Sequence, residues 1–210
     1  MKLLRFVSLL LLSLTLLTRT HAMPGGHDAA FAAAHGAIYF TPSNTTDDQP
    51  SAVAIQPDGK IVVAGACKNP SFYYVCIVRL NKDGSLDTSF NSTGKLLTFI
   101  GPGNDNILAI AIQPDGKIVV AGTCDSAASG GKRNFCLARY SSAGALDPTF
   151  VGPNGTGAGR FHIAIGLGND ILRSMALLAD GRIIVAGACV EGASTEFCVA
   201  RFTPTGAWDS

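Results

Sequence analysis

One unit is written three times in this chain, and every copy carries a cysteine pair at the same place. The copies read AVAIQPDGKIVVAGAC…CIVRLNKDGSLDTSF, LAIAIQPDGKIVVAGTC…CLARYSSAGALDPTF and SMALLADGRIIVAGAC…CVARFTPTGAWDS. Repetition at this length means that each unit is one supersecondary motif that buries its apolar faces against its neighbours, so the fold is a stack or ring of like parts. The spacing is 57 residues from Gln56 to Gln113 and 65 from Gln113 to Leu178. The extra length falls between the second pair of cysteines and between Phe150 and Gly159, outside strands, where a repeated scaffold tolerates insertion.

In the first copy Ala52–Gln56, Lys60–Cys67, Tyr74–Asn81 and Lys95–Ile100 are short runs rich in Val, Ile, Ala and aromatics, and none holds a 3.6-residue period. Pro57-Asp58-Gly59 and Pro114-Asp115-Gly116 between such runs fit tight turns, since Pro presets φ and Gly accepts a positive one. The expected fold is all-β: three four-stranded antiparallel blades of the β-propeller type, at about 48–104, 105–169 and 170–210, with a β-solenoid or sandwich as the alternative. Closed propellers usually have about four to eight blades, so three imply a truncated chain, an open arc or a ring completed by self-association. Asp28-Ala-Ala-Phe31 with Gly36-Ala-Ile-Tyr-Phe40 repeats the pattern of Asp87-Thr-Ser-Phe90 with Gly94-Lys-Leu-Leu-Thr98. Strand 36–41 is therefore expected to complete the last blade and hide its edge.

Lys2 and Arg5 precede an apolar run from Phe6 to Leu17, and Thr20-His21-Ala22 supplies a small residue at a cleavage point, the pattern of a cleaved secretory signal at 1–22. The run is shorter than the roughly 20 apolar residues a spanning helix needs. The propeller-type domain then covers 23–210, with no membrane span, in a secreted, periplasmic or cell-surface protein. Without Lys2, Arg5 and Arg19, the 16 basic residues become 13 against 15 acidic ones, which argues against nucleic acid as a partner. The cysteines agree with export. Cys67 and Cys76, Cys124 and Cys136, and Cys189 and Cys198 flank hairpins that bring each pair within disulfide reach, and their separations of 9, 12 and 9 do not match tight zinc knuckles.

The phrase AIQPDGKIVVAG, the Arg-bearing third strand and G-x-L-D-x-[ST]-F resemble the delta-60 repeat family of predicted bacterial β-propeller proteins, over nearly all of Asp28–Ser210. That resemblance implies exported proteins with many such repeats and no assigned general activity. It supplies no catalytic residue.

Arg79, Arg139 and Arg201 recur on the third strand and Asp87, Asp147 and Asp209 in the loop after it, which reads as a structural Arg–Asp bond in each blade. Asp48, Asp105 and Asp170 align at the start of the first strand. In a propeller that strand lines the channel, so these carboxylates form a candidate ring for a cation or basic ligand, against turn capping as the plainer reading. Phe72, Tyr73, Tyr74, Lys132 and Arg133, in the cysteine-bearing loops, are candidate contact residues. Enzyme signatures are weak. Gly155-Thr-Gly157-Ala-Gly159 lacks a dinucleotide fingerprint, Gly130-Gly131-Lys132 lacks the rest of a P-loop, and His27, His35 and His162 have no triad context. The sequence calls for no cofactor, assigns no metal, and carries sequons at Asn44, Asn91 and Asn154. Two functions follow: an exported non-catalytic recognition or scaffold module for a protein or carbohydrate ligand, or a secreted hydrolase or lyase using acidic residues at the channel mouth.

Overall fold

The computed structural model describes residues 28, 30–32, 36–43, 47–126, 130–153, 155 and 157–210; the expected leader at 1–22, His27, His35 and the sequons at Asn44 and Asn154 lie outside them. The first sheet runs β1 (Asp48–Ile55), β2 (Ile61–Lys68), β3 (Tyr73–Leu80) and β4 (Lys95–Thr98), each antiparallel to the next. The second repeats it with β5 (Asp105–Ile112), β6 (Ile118–Ser126), β7 (Lys132–Tyr140) and β8 (Arg160–Ile163). The third has β9 (Asp170–Leu177), β10 (Ile183–Glu191) and β11 (Ser194–Phe202), and among the described residues no fourth strand. The chain is thus an all-β array of three propeller-type blades that does not close. No helix among the described residues is long and apolar enough to cross a membrane.

The turns are made by the residues that the repeat marks for them. Gly59 has φ +82° and its amide closes the turn onto the Gln56 carbonyl at 2.8 Å, while the Asp58 carboxylate accepts the Lys60 amide at 3.1 Å. Across each second hairpin the cysteines form a disulfide: Cys67–Cys76, Cys124–Cys136 and Cys189–Cys198, all with Cα atoms 5.8 Å apart. In blade one Cys76 stands opposite Gly65 and Cys67 opposite Tyr74, so the bond runs diagonally across the hairpin rather than between facing residues. Three such bonds belong to an oxidising compartment.

The hydrophobic cores lie between blades. One joins Val62, Val75, Ile77 and Phe90 of the first blade to Ile107, Ile118, Val120 and Tyr140 of the second. The other joins Val119, Phe135, Leu137, Phe150 and Phe161 to Leu172, Ile183, Val185 and Phe202 of the third. A blade therefore buries its apolar faces against its neighbours.

A polar staple fixes the register of these interfaces. Arg79 is buried; its Nε lies 2.7 Å from Asp87 Oδ2, its guanidinium lies 4.8 Å from the Phe90 ring centroid, and Nη1 donates to the Ser142 carbonyl on a turn of the second blade. Arg139 repeats this with Asp147 at 2.9 Å, the Phe150 ring at 4.9 Å and the Pro204 carbonyl of the third blade. The Arg–Asp pairs of the first and second blades are thus also links to the next one. The phenyl rings follow the same path: Phe90 packs on Gly144 and Phe150 on Gly206, where positive φ and the pressing ring both demand glycine.

The segment 36–41 differs from expectation. It forms no strand, and it lies against the first blade instead of completing the third. Phe31 packs on Gly84 as Phe90 packs on Gly144, and the Ala32 amide donates to the Asp83 carbonyl at 2.7 Å. The physical reason is that the D-x-x-F turn docks on the blade that follows it, and in one chain the third blade does not come round to meet it.

Burial alone would raise the Asp87 carboxyl, but hydrogen bonds from Ser89 and Lys60 with the charge of Arg79 hold it well below the usual carboxylate range. Asp147 is lowered in the same way, against its burial, by Thr149, Arg139 and Lys117. Both contribute stability that is present above the ordinary carboxylate pKa and is lost as pH falls through their lower folded values. We expect the urea midpoint to drop below about pH 4, and that acid limb to flatten in Asp147→Asn. Arg139→Met, which leaves buried Asp147 with Thr149 and the more distant Lys117, is expected to cost about 3 kcal/mol at pH 7 in the same measurement.

Candidate functional site

The first strand of each blade faces the concave side, and each is broken at one residue. The pairing of β1 with β2 skips Ser51, that of β5 with β6 skips Leu108, and that of β9 with β10 skips Arg173. These are β-bulges, which kink a strand and re-aim a side chain. Opposite them stand Gly65, Gly122 and Gly187, where a Cβ would fall 2.1, 2.1 and 2.2 Å from the carbonyl oxygens of Gln49, Asn106 and Ile171. No other residue fits there. The glycine two positions before the first cysteine of every repeat is therefore what permits the bulge.

The bulges open a cleft of ≈ 570 Å³ across the three inner strands. Gln49, Asn106 and Ile171, one residue into each inner strand, line it, with Leu108 and Arg173 from the bulges and Thr123 from β6. Tyr73 and Arg133, which occupy equivalent places in blades one and two, close its upper rim. Tyr73 donates its hydroxyl to Asp47 at 2.6 Å, a bond that lowers the Asp47 pKa and raises that of Tyr73. Its amide donates to Asn104 Oδ1 at 3.1 Å, as the Arg133 amide donates to Asn169 Oδ1 at 2.9 Å, so the Gly-Asn-Asp linker of each following blade anchors the rim. Asp125, also in the cleft, accepts the Asn104 amide at 2.9 Å and its side-chain nitrogen at 3.1 Å.

Strand alternation divides the five expected contact residues. Tyr73 and Arg133 face the cleft, whereas Tyr74 points outward, 6.5 Å from Phe99 between ring centroids, and Lys132 donates to the Leu167 carbonyl at 2.6 Å. Phe72 is exposed on the hairpin loop beside them. Gln49, Asn106, Asp125 and Arg173 were not anticipated.

The aligned carboxylates do not surround a channel mouth. Asp105 and Asp170 are fully buried, and each turns back to accept two backbone amides of the linker before it: Ile100 and Gly101 at 2.6 and 2.8 Å, and Ile165 and Gly166 at 2.6 and 3.2 Å. Asp48 accepts the Ser43 hydroxyl in the corresponding place, at 2.5 Å. Asp105 and Asp170 thus cap the linkers between blades, whose exposed amides need acceptors. Burial pushes the Asp105 pKa up to about 6 despite those two amide bonds. His162 sits on β8, at the edge of the second sheet away from β5, and burial lowers its pKa. Among the described residues no group of three His, Cys, Asp or Glu side chains is placed to hold a metal ion.

Blades stapled face to face, with a polar cleft across their inner strands, define a β-propeller repeat protein. A family described as a β-propeller domain of unknown function, DUF5122, matches residues 56–90, 113–150 and 178–210, half of the chain, and the protein belongs to it. No curated protein is found to match the sequence significantly. Among solved structures, an exo-1,5-alpha-L-arabinanase from a bovine ruminal metagenomic library is similar at a TM-score of 0.45 and 13% identity, over 80% of this chain and 59% of that one. The chain thus spans less than two thirds of that enzyme's length.

Gly122→Ala is expected to force the Asn106 carbonyl aside, costing about 1–3 kcal/mol in denaturant unfolding. A stability equal to wild type would mean that the bulge is not held by that glycine.

Proposed function

We propose that this protein is an exported, non-catalytic recognition or scaffold module of the delta-60 repeat type, which binds a carbohydrate or protein ligand in the concave cleft. The observation that carries this reading is the convergence of equivalent inner-strand positions on one pocket. Gln49 and Asn106 offer neutral hydrogen-bonding groups, Tyr73 an aromatic face, and Arg133 and Arg173 exposed guanidinium groups. Such a set, few polar groups held on rigid strands around a partly apolar floor, suits orientation of a hydroxylated or acidic ligand. Supporting the non-catalytic part, Asp105 and Asp170 are spent on linker amides, and Asp125 holds Asn104. Export rests on the leader pattern at 1–22 and on the disulfides.

A glycan and peptide array, followed by titration calorimetry on any hit, tests the proposal. Arg173→Ala and Tyr73→Ala are each expected to weaken binding at least tenfold, about 1.4 kcal/mol, with the unfolding midpoint unchanged in Arg173→Ala, whose side chain is exposed on the cleft surface. Binding that survives both substitutions would remove the cleft from the function, and turnover of an oligosaccharide lost in Asp125→Asn would replace the module by a hydrolase or lyase.

A further inference from the structure

Two seams between blades cross the cleft, and equivalent positions give them opposite chemistry. Where the first blade meets the second, Ala66, Tyr73 and Leu108 line it. Where the second meets the third, the same three places hold Thr123, Arg133 and Arg173. Ala66 and Thr123 each precede the first cysteine of their repeat, Tyr73 and Arg133 pair with the residue after it, and Leu108 and Arg173 are the residues that the ladder skips. One repeat unit therefore builds a carbon-rich wall at one seam and a doubly cationic wall at the other.

The fold makes no use of these two cations. Every other described arginine holds a carboxylate or a carbonyl: Arg79 and Arg139 inside the blades, Arg182 and Arg201 on Asp209, and Arg160 on the Phe99 carbonyl. The guanidinium groups of Arg133 and Arg173 are exposed and have no such partner among the described residues. Their backbones, by contrast, are pinned across the seam. The Arg133 amide donates to Asn169 Oδ1 at 2.9 Å, and the amide of Leu172, next to Arg173, donates to Thr123 Oγ1 at 2.9 Å. Asp125 pairs with Arg133 in the ladder, yet its carboxylate turns to Asn104. Two arginines against Asp125 leave the lining with one net positive charge, while Asp47 at the rim is offset by Lys68 at 3.9 Å.

We propose that the ligand of this cleft is an acidic oligosaccharide, with a uronate carboxylate held between Arg133 and Arg173 and a neighbouring sugar ring resting on Tyr73 and Leu108. The assignment rests on the cleft being the binding site. A planar guanidinium fork matches a carboxylate, and a single net positive charge suits a group that carries one negative charge. The Asn106 side-chain amide has no partner among the described residues, and Gln49, which donates to Asp47 at 3.1 Å, keeps its carbonyl, so both can meet sugar hydroxyls. An acidic peptide fits less well. It would dock by adding a strand to a regular edge, and a bulge kinks each inner strand.

Titration calorimetry on the disulfide-bonded protein tests this, with trisaccharides of galacturonate and of mannuronate, their methyl esters, and a triglutamate peptide. At least one uronate trisaccharide is expected to bind, and to weaken with added salt. Its affinity is expected to fall about tenfold in Arg133→Gln, in Arg173→Gln and on esterification, with urea midpoints unchanged in both variants. Failure of both trisaccharides to bind, equal affinity for acid and ester, or tighter binding of the peptide would overturn the acidic-sugar assignment. In the last two cases, binding lost in Tyr73→Ala would leave the cleft reading standing. A trisaccharide held with wild-type affinity by both arginine variants and by Tyr73→Ala would overturn the cleft reading as well.

Discussion

Everything in this molecule depends on how one blade grips the next, and the grip is a buried guanidinium. Arg79 and Arg139 each satisfy a carboxylate in their own blade and a turn carbonyl in the following one, with a phenyl ring against the cation. A guanidinium suits this place because its planar fork meets several acceptors at once and stacks on an aromatic face. The apolar faces supply most of the driving force, but they are slippery. The directional bonds fix their angle, and that angle sets the curvature of the inner strands and hence the shape of the cleft.

Much of this was legible. The threefold unit announced strands, turns and paired cysteines, since Pro-Asp-Gly and the alternating Val and Ile runs constrain the backbone locally. The disulfides followed from the same hairpins. What the sequence concealed was direction. Asp105 and Asp170 look like members of a ring when aligned, yet each points back to amides four and five residues earlier, and nothing in their spacing reveals which way a carboxylate turns. Likewise Tyr73 and Tyr74 are adjacent letters, but the pleat sends one into the cleft and the other to Phe99.

One feature of the sequence does point to the cleft. A glycine in the middle of an apolar strand weakens it and usually marks a bulge. Gly65, Gly122 and Gly187 do so, and tracing their partners would have led to Gln49, Asn106 and Ile171 and so to the cleft. The placement of 36–41 has the opposite lesson. Its motif was recognised as an outer strand, and the local contacts agree, but local pattern cannot say which copy of a blade that strand serves.

The bulges also separate two demands that most binding sites confound. The residue skipped by the pairing at Ser51, Leu108 or Arg173 makes no ladder contact with the neighbouring strand; Ser51 and Arg173 stay clear of the interblade cores, whereas Leu108 packs against the second one. Its identity has already diverged to a hydroxyl, an aliphatic chain and a cation within one molecule, while the glycine across from it has not changed. Where that residue stays clear of the cores, as in the first and third blades, its occupant can be rewritten without disturbing the frame, so a lineage of such repeats can change the chemistry of its inner face by drift at a single position.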